Sequence, residues 1–282
     1  MRTRWPSVRD RLRTLADRSP VPVAPAAPPA DPPEPAPWPE ESFTTAVGHV
    51  MTFLNDEGID LAGQSVADIG CGDGVMDLGL ALRAAPKRLV GFDIAPVDTA
   101  GLLARARARG VATELPPNLV FETCGEDRLP ADDASFDGLV SWSAFEHVVR
   151  PVAVLREMRR ILRPDGVLFV QVWPFFHSKH GSHLWDWFPE GFAQLLHEPG
   201  TVEREVRAHP DKGPAWVDNL LAAFHELNRV TVDDLQRALL LAGFRVTKLE
   251  LETETVHIPP ELAHLPLRTL AVSGVKLLAR PW

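Results

Sequence analysis

The stretch Val66–Gly74, which reads VADIGCGDG, decides the fold of this 282-residue chain. An apolar run leads into it, three glycines follow at alternate positions, and Asp68 lies two places before the first glycine. Glycine lets the backbone turn sharply and approach a ligand closely, and the N-terminus of a following helix carries free N–H groups and partial positive charge. The pattern therefore predicts a strand, a glycine-lined turn and a helix that together bind a ligand.

A second apolar segment, Lys87–Asp93 (KRLVGFD), predicts the next strand and ends in an acid. Asp93 lies 23 positions after Gly70, near the spacing at which a strand–helix–strand unit places a carboxylate against ribose hydroxyls. Dinucleotide-binding folds share this geometry, so the two segments indicate a nucleoside site without naming a reaction. The turn reads G-x-G-x-G rather than G-x-G-x-x-G, and the acid at Asp68 suits a cationic amino-acid group better than a pyrophosphate.

Four further segments follow along the chain in an order typical of one family. They are EDRLP at 126–130, DASFD at 133–137, EHV at 146–148, and ILRPDGVLFV at 161–170. With the glycine turn, they make the chain from about Val66 to Trp173 resemble class I S-adenosylmethionine-dependent methyltransferases of the type 11 group. The resemblance implies an α/β fold, with a Rossmann-like, doubly wound sheet of about seven strands, mostly parallel with an antiparallel last strand, and helices on both faces.

The resemblance also implies S-adenosyl-L-methionine as the cofactor. Two positions depart from the family pattern, since Asp165 stands where glycine is usual and Gly125 stands where many relatives carry an aspartate that meets the adenine amino group. Glu126, Asp127 or the backbone alone would then serve the adenine. The cofactor-binding residues that the resemblance implies are Asp68, Gly70, Cys71, Gly72, Gly74, Asp93, Ile94, Glu126, Asp127, Ser141 and Trp142.

The composition argues against several other classes of protein. A net charge of −9 argues against a general nucleic-acid binder, because phosphate binding needs a basic surface. No apolar run reaches the roughly 18 residues that span a bilayer, and the arginine-rich N-terminus lacks the apolar core of a secretory signal. The two cysteines indicate no disulfide framework, so we expect a cytoplasmic protein. The chain has no tyrosine, which removes that residue as a catalytic base.

The sequence divides into a tail, a linker and one domain. Residues 1–18 are basic, with apolar residues at helical spacing, and predict an amphipathic helix that is either a solvated tail or a weak contact to a membrane surface or a partner. Residues 19–39 are rich in proline and alanine and predict an extended linker without packing of its own. The methyltransferase-like domain spans 40–282, with a long substrate-side insertion at about 174–229.

The insertion is entered through Trp173–Phe188, a segment of sixteen residues that contains three tryptophans, three phenylalanines and three histidines. It follows the predicted fifth strand at the carboxyl edge of the sheet, where open α/β folds bind ligands. Its rings either form a wall for a flat or sugar-like acceptor or pack onto the domain as a lid. His177, His180 and His183 recur every three residues, but a metal site needs defined geometry and not merely spacing, so we predict none.

We expect methyl transfer to a hydroxyl of a small-molecule or glycan acceptor. Positioning supplies much of the rate, and a hydroxyl acceptor also benefits from a base with a pKa near neutrality, which favours histidine. The candidates for this base are His147, His183, His180 and His177, while a packed structural role for His147 stays open. The alternatives are N- or C-methylation on the same fold, a nicotinamide-dependent oxidoreductase, and a non-catalytic binding protein.

Overall fold

A computed structural model describes residues 38–208 and 213–282. The predicted tail at 1–18 and nearly all of the predicted linker at 19–39 lie outside the described residues. Within the described ranges, we find no helix with the length and apolar content needed to cross a bilayer. The strands are β1 (Ser65–Ile69), β2 (Arg88–Asp93), β3 (Leu119–Thr123), β4 (Phe136–Trp142), β5 (Leu162–Val172), β6 (Phe244–Thr253) and β7 (Val272–Pro281).

The strands form one seven-stranded sheet in the order β3-β2-β1-β4-β5-β7-β6. The first five strands are parallel to one another, and β7 runs antiparallel to both β5 and β6. The strand order reverses between β1 and β4, which is the switch point where open sheets of this class bind ligands at the carboxyl ends of their strands. The predicted Rossmann-like sheet with an antiparallel last strand is confirmed.

Helices cover both faces of this sheet. They are α1 (Val47–Asn55, after a π-helical turn at Glu41–Ala46), α2 (Val75–Arg83), α3 (Thr99–Arg109), α4 (Pro151–Ile161), α5 (Ala193–Leu196), α6 (Pro199–Ala208), α7 (Pro214–Glu226), α8 (Val232–Leu241) and α9 (Leu267–Ala271). Apolar residues of α1, α2 and α3 share one buried cluster with Val66, and those of α4 and α8 share another with Ala67. Val66 and Ala67 serve different clusters because successive side chains of a strand point to opposite faces of the sheet.

The insertion at 174–229 is partly helical rather than one long loop. It contains α5, α6 and α7, and its helices bury Val202, Val206, Val217 and Leu221 in a cluster of their own. These residues lie four positions apart on each helix, which gives each helix one apolar face. The aromatic segment that precedes them is a series of turns, so its histidines do not share a helix face.

Two boundaries differ from the sequence-based expectation. The apolar run at Leu270–Leu278 predicts a strand, but α9 continues to Ala271 and β7 begins at Val272, because Leu270 packs with Phe192 away from the sheet. Trp38, assigned from composition to the linker, packs edge to face on Phe43 with ring centroids 5.1 Å apart. The packing of the domain therefore begins before residue 40.

Candidate active site

The glycine turn joins β1 to α2 at the switch point of the sheet. Gly70, Gly72 and Gly74 have positive φ angles of 83°, 57° and 75°. A Cβ on Gly74 would lie 2.6 Å from the ring of Phe121, whereas a Cβ on Gly72 would meet no other residue within 4 Å. Packing therefore requires glycine at position 74, and the backbone at Gly72 is open to a ligand.

Asp93, the last residue of β2, is fixed by the backbone at both of its carboxylate oxygens. The N–H of Gly72 donates to Oδ2 at 2.8 Å, and the N–H of Ala95 donates to Oδ1 at 3.0 Å. Each oxygen keeps a further lone pair, and the side chain lies at the edge of an open cleft. The acid that the sequence predicts for the ribose is thus held in place by the protein alone.

A first cleft of about 430 Å³ opens beside Asp93. Gly70 and Gly72 line it on one side, and Ile94, whose side chain is 65% exposed, lines it on another. An exposed apolar side chain next to an oriented carboxylate offers one surface for a flat ring and one acceptor for hydroxyl groups. The first cleft therefore has the chemistry of a nucleoside site.

Glu126 and Asp127 line the same cleft and are held by Arg150. The Arg150 guanidinium lies 2.9 Å from the Asp127 carboxylate and 4.0 Å from that of Glu126. All three side chains are at least partly exposed, so this ion pair is worth little in stability and mainly orients the acids. That Glu126, Asp127 or the backbone alone meets the adenine stays a prediction.

A second cleft of about 480 Å³ lies on the other side of the glycine turn. Its lining includes Asp68, Cys71, Trp142, Trp173, Glu252 and Lys276. Gly70, Gly72 and Ser143 line both clefts, so the two meet over the turn. Acidic side chains outnumber basic ones along the second cleft, which favours a cationic group there.

Ser141 and Trp142, at the end of β4, also hold the sheet together. The buried Ser141 hydroxyl donates to the Ile69 carbonyl at 2.8 Å and so ties β4 to β1. Trp142 stacks on Phe169, with ring centroids 6.2 Å apart and planes 8° from parallel. Ser141 lines the first cleft and Trp142 the second, and their contact with the cofactor stays a prediction.

Asp68 and Asp77 form a buried pair of carboxyl groups beneath the turn, 1% and 0% exposed. Oδ1 of Asp68 and both carboxylate oxygens of Asp77 are buried without a hydrogen-bond partner among the described residues, which disfavours the ionised form of each group. Burial, with Asp93 nearby, raises the pKa of Asp68 to about 7, and burial together with Asp68 holds the pKa of Asp77 well above its usual range. Burial also raises the pKa of the Cys71 thiol, which makes it a poor nucleophile.

Two of the four candidate histidines come together. His147 lies in a 3₁₀ turn at 145–147 after β4 and lines the first cleft, and the ring of His183 lies 5.7 Å from it. His183 stacks on Trp185 at 6.3 Å, and Trp185 lies 5.9 Å from Trp173, which lines the second cleft. This row of rings runs from one cleft to the other.

The other two histidines lie elsewhere. His180 faces Glu254, with Nε2 3.6 Å from a carboxylate oxygen. His177 lines a separate small pocket with Thr231, and burial together with a nearby arginine lowers its pKa. Neither histidine lines the first or the second cleft.

Glu146 is a further candidate functional residue, which the sequence pattern alone does not identify. It is 3% exposed, and its Oε2 has no hydrogen-bond partner among the described residues. Burial raises the pKa of Glu146 to about 8, while burial and the neighbouring His147 lower the pKa of His183 to about 4. Strongly shifted groups beside a cleft are typical of functional sites.

Other cleft residues come from distant parts of the chain, so no local pattern could identify them. Ser143, where the clefts meet, has a φ of +47°, and the Gln171 side chain accepts both its N–H and its hydroxyl at 2.9 Å. Lys276 on β7 lies 2.9 Å from the carboxylates of Glu250 and Glu252 on β6. Only the pairing of β5 with β7 brings this lysine to the second cleft.

A family described as a methyltransferase domain matches residues 67–170, from β1 into β5. The matched region contains the glycine turn, Asp93 and the Glu146-His147 pair. Residues 67–170 therefore form a methyltransferase domain of the class I type. S-adenosylmethionine is the cofactor of this family, and the open backbone at Gly72, the oriented Asp93 and the buried Asp68 fit its nucleoside and amino-acid groups.

The chain is similar to proteins whose names give different acceptors. A ubiquinone biosynthesis O-methyltransferase of Xanthomonas oryzae pv. oryzae is 32% identical over 112 residues, covering 40% of this chain and 44% of that protein. A tRNA U34 carboxymethyltransferase of Campylobacter curvus is 30% identical over 112 residues, covering 40% and 35%. A Mesorhizobium loti S-adenosylmethionine-dependent methyltransferase structure superposes with a TM-score of 0.51 at 18% identity, covering 81% and 96%. The chain spans less than half the length of these curated relatives.

Proposed function

We propose that this protein transfers the methyl group of S-adenosylmethionine to a hydroxyl of a small molecule or glycan. The observation that carries the proposal is the junction of the two clefts over Gly70 and Gly72, between the oriented acid Asp93 and the buried acid Asp68. When bound, S-adenosylmethionine supplies an activated methyl group on a sulfonium, and the sulfur leaves with the bonding electrons.

The first cleft suits the nucleoside half of the cofactor. Asp93 offers its remaining lone pairs to two ribose hydroxyls, in hydrogen bonds strengthened by its charge. Ile94 offers an apolar contact to the base, and Glu126 or Asp127 an acceptor for its amino group. The open backbone at Gly72 leaves room for the chain between the ribose and the sulfur.

The second cleft suits the cationic amino-acid half. The Oδ1 atom of Asp68 is buried without a hydrogen-bond partner among residues 38–208 and 213–282. An ammonium group would provide the missing donor and favour the ionised form of Asp68. The acidic lining repels the pyrophosphate of a nicotinamide cofactor, which supports the methyltransferase over the oxidoreductase alternative.

His147 is the histidine best placed to take a proton from the acceptor. Burial lowers its pKa, so the ring is neutral near pH 7 and able to accept a proton. Glu226 lines the same cleft, and its carboxylate raises the pKa of His147, which opposes the effect of burial. It would therefore stabilise the imidazolium that forms. This pairing supports a hydroxyl acceptor, which must lose a proton to become an ether.

The rings of Trp173 and Trp185 suit the acceptor itself. Trp185 is 40% exposed although it contacts both Trp173 and His183, so its ring offers a free face beside the candidate base. Tryptophan faces bind flat rings and sugars over a large area. The acidic net charge of the chain supports a small acceptor over a nucleic acid.

The test is the formation of S-adenosylhomocysteine by the full-length protein. We expect binding of S-adenosylmethionine and turnover with hydroxylated aromatic or sugar acceptors from a screening panel, with unmodified tRNA as the contrasting acceptor. Methylation of tRNA, or of amines and carbon acids alone, would refute the hydroxyl assignment. Tighter binding of NAD than of S-adenosylhomocysteine would refute the methyltransferase proposal itself.

A further inference from the structure

Three side chains from two separate segments meet behind the first cleft. Glu146 and His147 belong to the 3₁₀ turn after β4, and His183 comes from the insertion. One side-chain ligand atom from each residue lies within 4.8 Å of the other two. The rings of His147 and His183 stand at 68° to each other. A carboxylate oxygen and two imidazole nitrogens thus surround one small volume.

Two of these side chains have buried polar atoms without partners. The Oε2 atom of Glu146 and the Nε2 atom of His183 are buried, and no described residue forms a hydrogen bond with either. Burying a carboxylate without a partner is costly, and so is leaving a buried imidazole nitrogen unpaired. A cation bound among the three side chains would satisfy both atoms at once.

The backbone that carries these side chains is held firmly on both sides. The Asn228 amide donates to the carbonyls of Phe145 at 2.5 Å and Val148 at 2.9 Å, and its backbone N–H donates to the Glu146 carbonyl at 2.8 Å. His183 has a φ of +60°, a conformation that side chains other than glycine adopt only where their surroundings enforce it. Rigid support of this kind is what a metal site requires.

We propose that Glu146, His147 and His183 bind a divalent first-row transition-metal ion, for which Zn²⁺ is the best match. Two imidazoles and one carboxylate form a ligand set found in catalytic zinc sites, and three protein ligands leave a coordination position open. Mg²⁺ and Ca²⁺ prefer oxygen ligands throughout. This site differs from the three-residue spacing of His177, His180 and His183 in the sequence. Only His183 of that set takes part, because Glu146 and His147 come from another segment.

The role of the ion follows from its position and rests on the proposed function. His147 lines the first cleft, so an acceptor could reach the open coordination position from there. With the ion bound, His147 would serve as a ligand rather than as the base. A metal-bound hydroxyl loses its proton more readily, and that proton would pass to solvent. The oxygen then bonds to the methyl carbon while the carbon–sulfur bond breaks and leaves its electron pair on sulfur.

The test measures metal binding in the full-length protein without reference to turnover. After chelator treatment and dialysis into metal-free buffer, we expect calorimetry to show one equivalent of Zn²⁺ bound and Co²⁺ to give visible absorption. Glu146→Gln and His183→Ala should each weaken Zn²⁺ binding by at least about 100-fold. His177→Ala and His180→Ala are the matched controls from the same segment and should bind Zn²⁺ within roughly threefold of the wild type.

Failure of the metal site and failure of the proposed function give different results. Wild-type protein that binds no Zn²⁺, or full Zn²⁺ affinity in both ligand variants, overturns the metal site. Chelator-resistant turnover with normal binding of S-adenosylhomocysteine overturns the role of the ion and leaves methyl transfer standing. Absence of S-adenosylhomocysteine binding overturns the proposed function, while the Zn²⁺ titration still decides the site. If Glu146→Gln does not fold by circular dichroism, His183→Ala decides alone.

Discussion

The carboxylate of Asp93 accepts the backbone N–H of Gly72 at 2.8 Å, which joins the end of β2 to the turn after β1. The carboxylate that we propose for the ribose is therefore oriented by the same turn whose backbone is open at Gly72. A group oriented in advance loses little conformational freedom on binding, so more of its interaction energy appears as affinity. The turn and the acid behave as one structural unit.

Replacing Asp93 should weaken the cofactor site without unfolding the domain. Charge-assisted hydrogen bonds contribute about 1.5–3 kcal/mol, so Asp93→Ala should lower the affinity for S-adenosylhomocysteine by roughly 10- to 100-fold. Calorimetry measures this change. Asp165→Ala, an exposed acid near the start of β5 at the opposite edge of the sheet, is the control and should bind normally. Unchanged affinity in Asp93→Ala would remove this residue from the site.

The buried pair Asp68 and Asp77 should make stability depend on pH. Both folded pKa values are raised, so the folded protein holds protons that the unfolded chain has already released above about pH 4. The stability associated with these protons is present at low pH and is lost as the pH rises through the raised pKa values. Asp77→Asn, which keeps a neutral group of the same shape, should therefore stabilise the protein more at pH 8 than at pH 5.

The expected gain for Asp77→Asn is about 1–3 kcal/mol at pH 8, or roughly 3–10 °C in Tm. Thermal unfolding followed by circular dichroism at both pH values measures it. Asp132→Asn, at an exposed position, should show no such dependence on pH. A gain of equal size at pH 5 and pH 8 would mean that Asp77 is ionised in the folded protein throughout this range.

Replacing His147 should lower kcat much more than replacing His177. Loss of a base or of a ligand beside the first cleft should cost about 10²–10⁴-fold in kcat, so we expect this for His147→Ala. His177→Ala should lose less than about tenfold, because its ring lines a separate pocket. Binding of S-adenosylhomocysteine should survive in both. Full activity in His147→Ala would leave positioning, or a carboxylate, to carry the reaction.

Truncation should distinguish the contribution of the N-terminal residues to stability from the contribution of Trp38. A chain that begins at Pro37 should unfold within a few degrees of the full-length protein, as the sequence predicts for the tail and linker. Removing Trp38 as well, or the change Trp38→Ala, should lower stability by about 1–3 kcal/mol, because its ring packs on Phe43 and the buried cluster below. Differential scanning calorimetry compares the variants. A large loss in the first truncation would show that earlier residues also pack on the domain.

Local patterns predict the strands, the glycine turn and the position of Asp93 well. The glycine turn and Asp93 belong to one strand–helix–strand unit, so their geometry follows from a continuous stretch of chain. The mostly parallel sheet with its antiparallel last strand follows from the resemblance of the motifs to a known family. Details such as the start of β7 at Val272 depend instead on how Leu270 packs against a distant phenylalanine.

The region that we propose for the acceptor, around His147 and His183, could not be predicted in the same way. His147 and His183 are brought together by the path of the insertion, and Asn228 fixes the turn from beyond the end of α7. Periodicity describes a helix or a strand but not the contact between two segments that are far apart in sequence. The apolar faces of α6 and α7 are visible in the sequence, but what they support is not.

The place of β7 in the sheet has a consequence for synthesis of the protein. Within the described chain, β6 pairs with β7, and β7 pairs with β5, so β6 has no place in the sheet until the later strand has left the ribosome. Lys276, which lines the second cleft, lies on that same strand. A nascent chain can thus form the glycine turn early, but it completes the lining of the second cleft only after β7 has been synthesised.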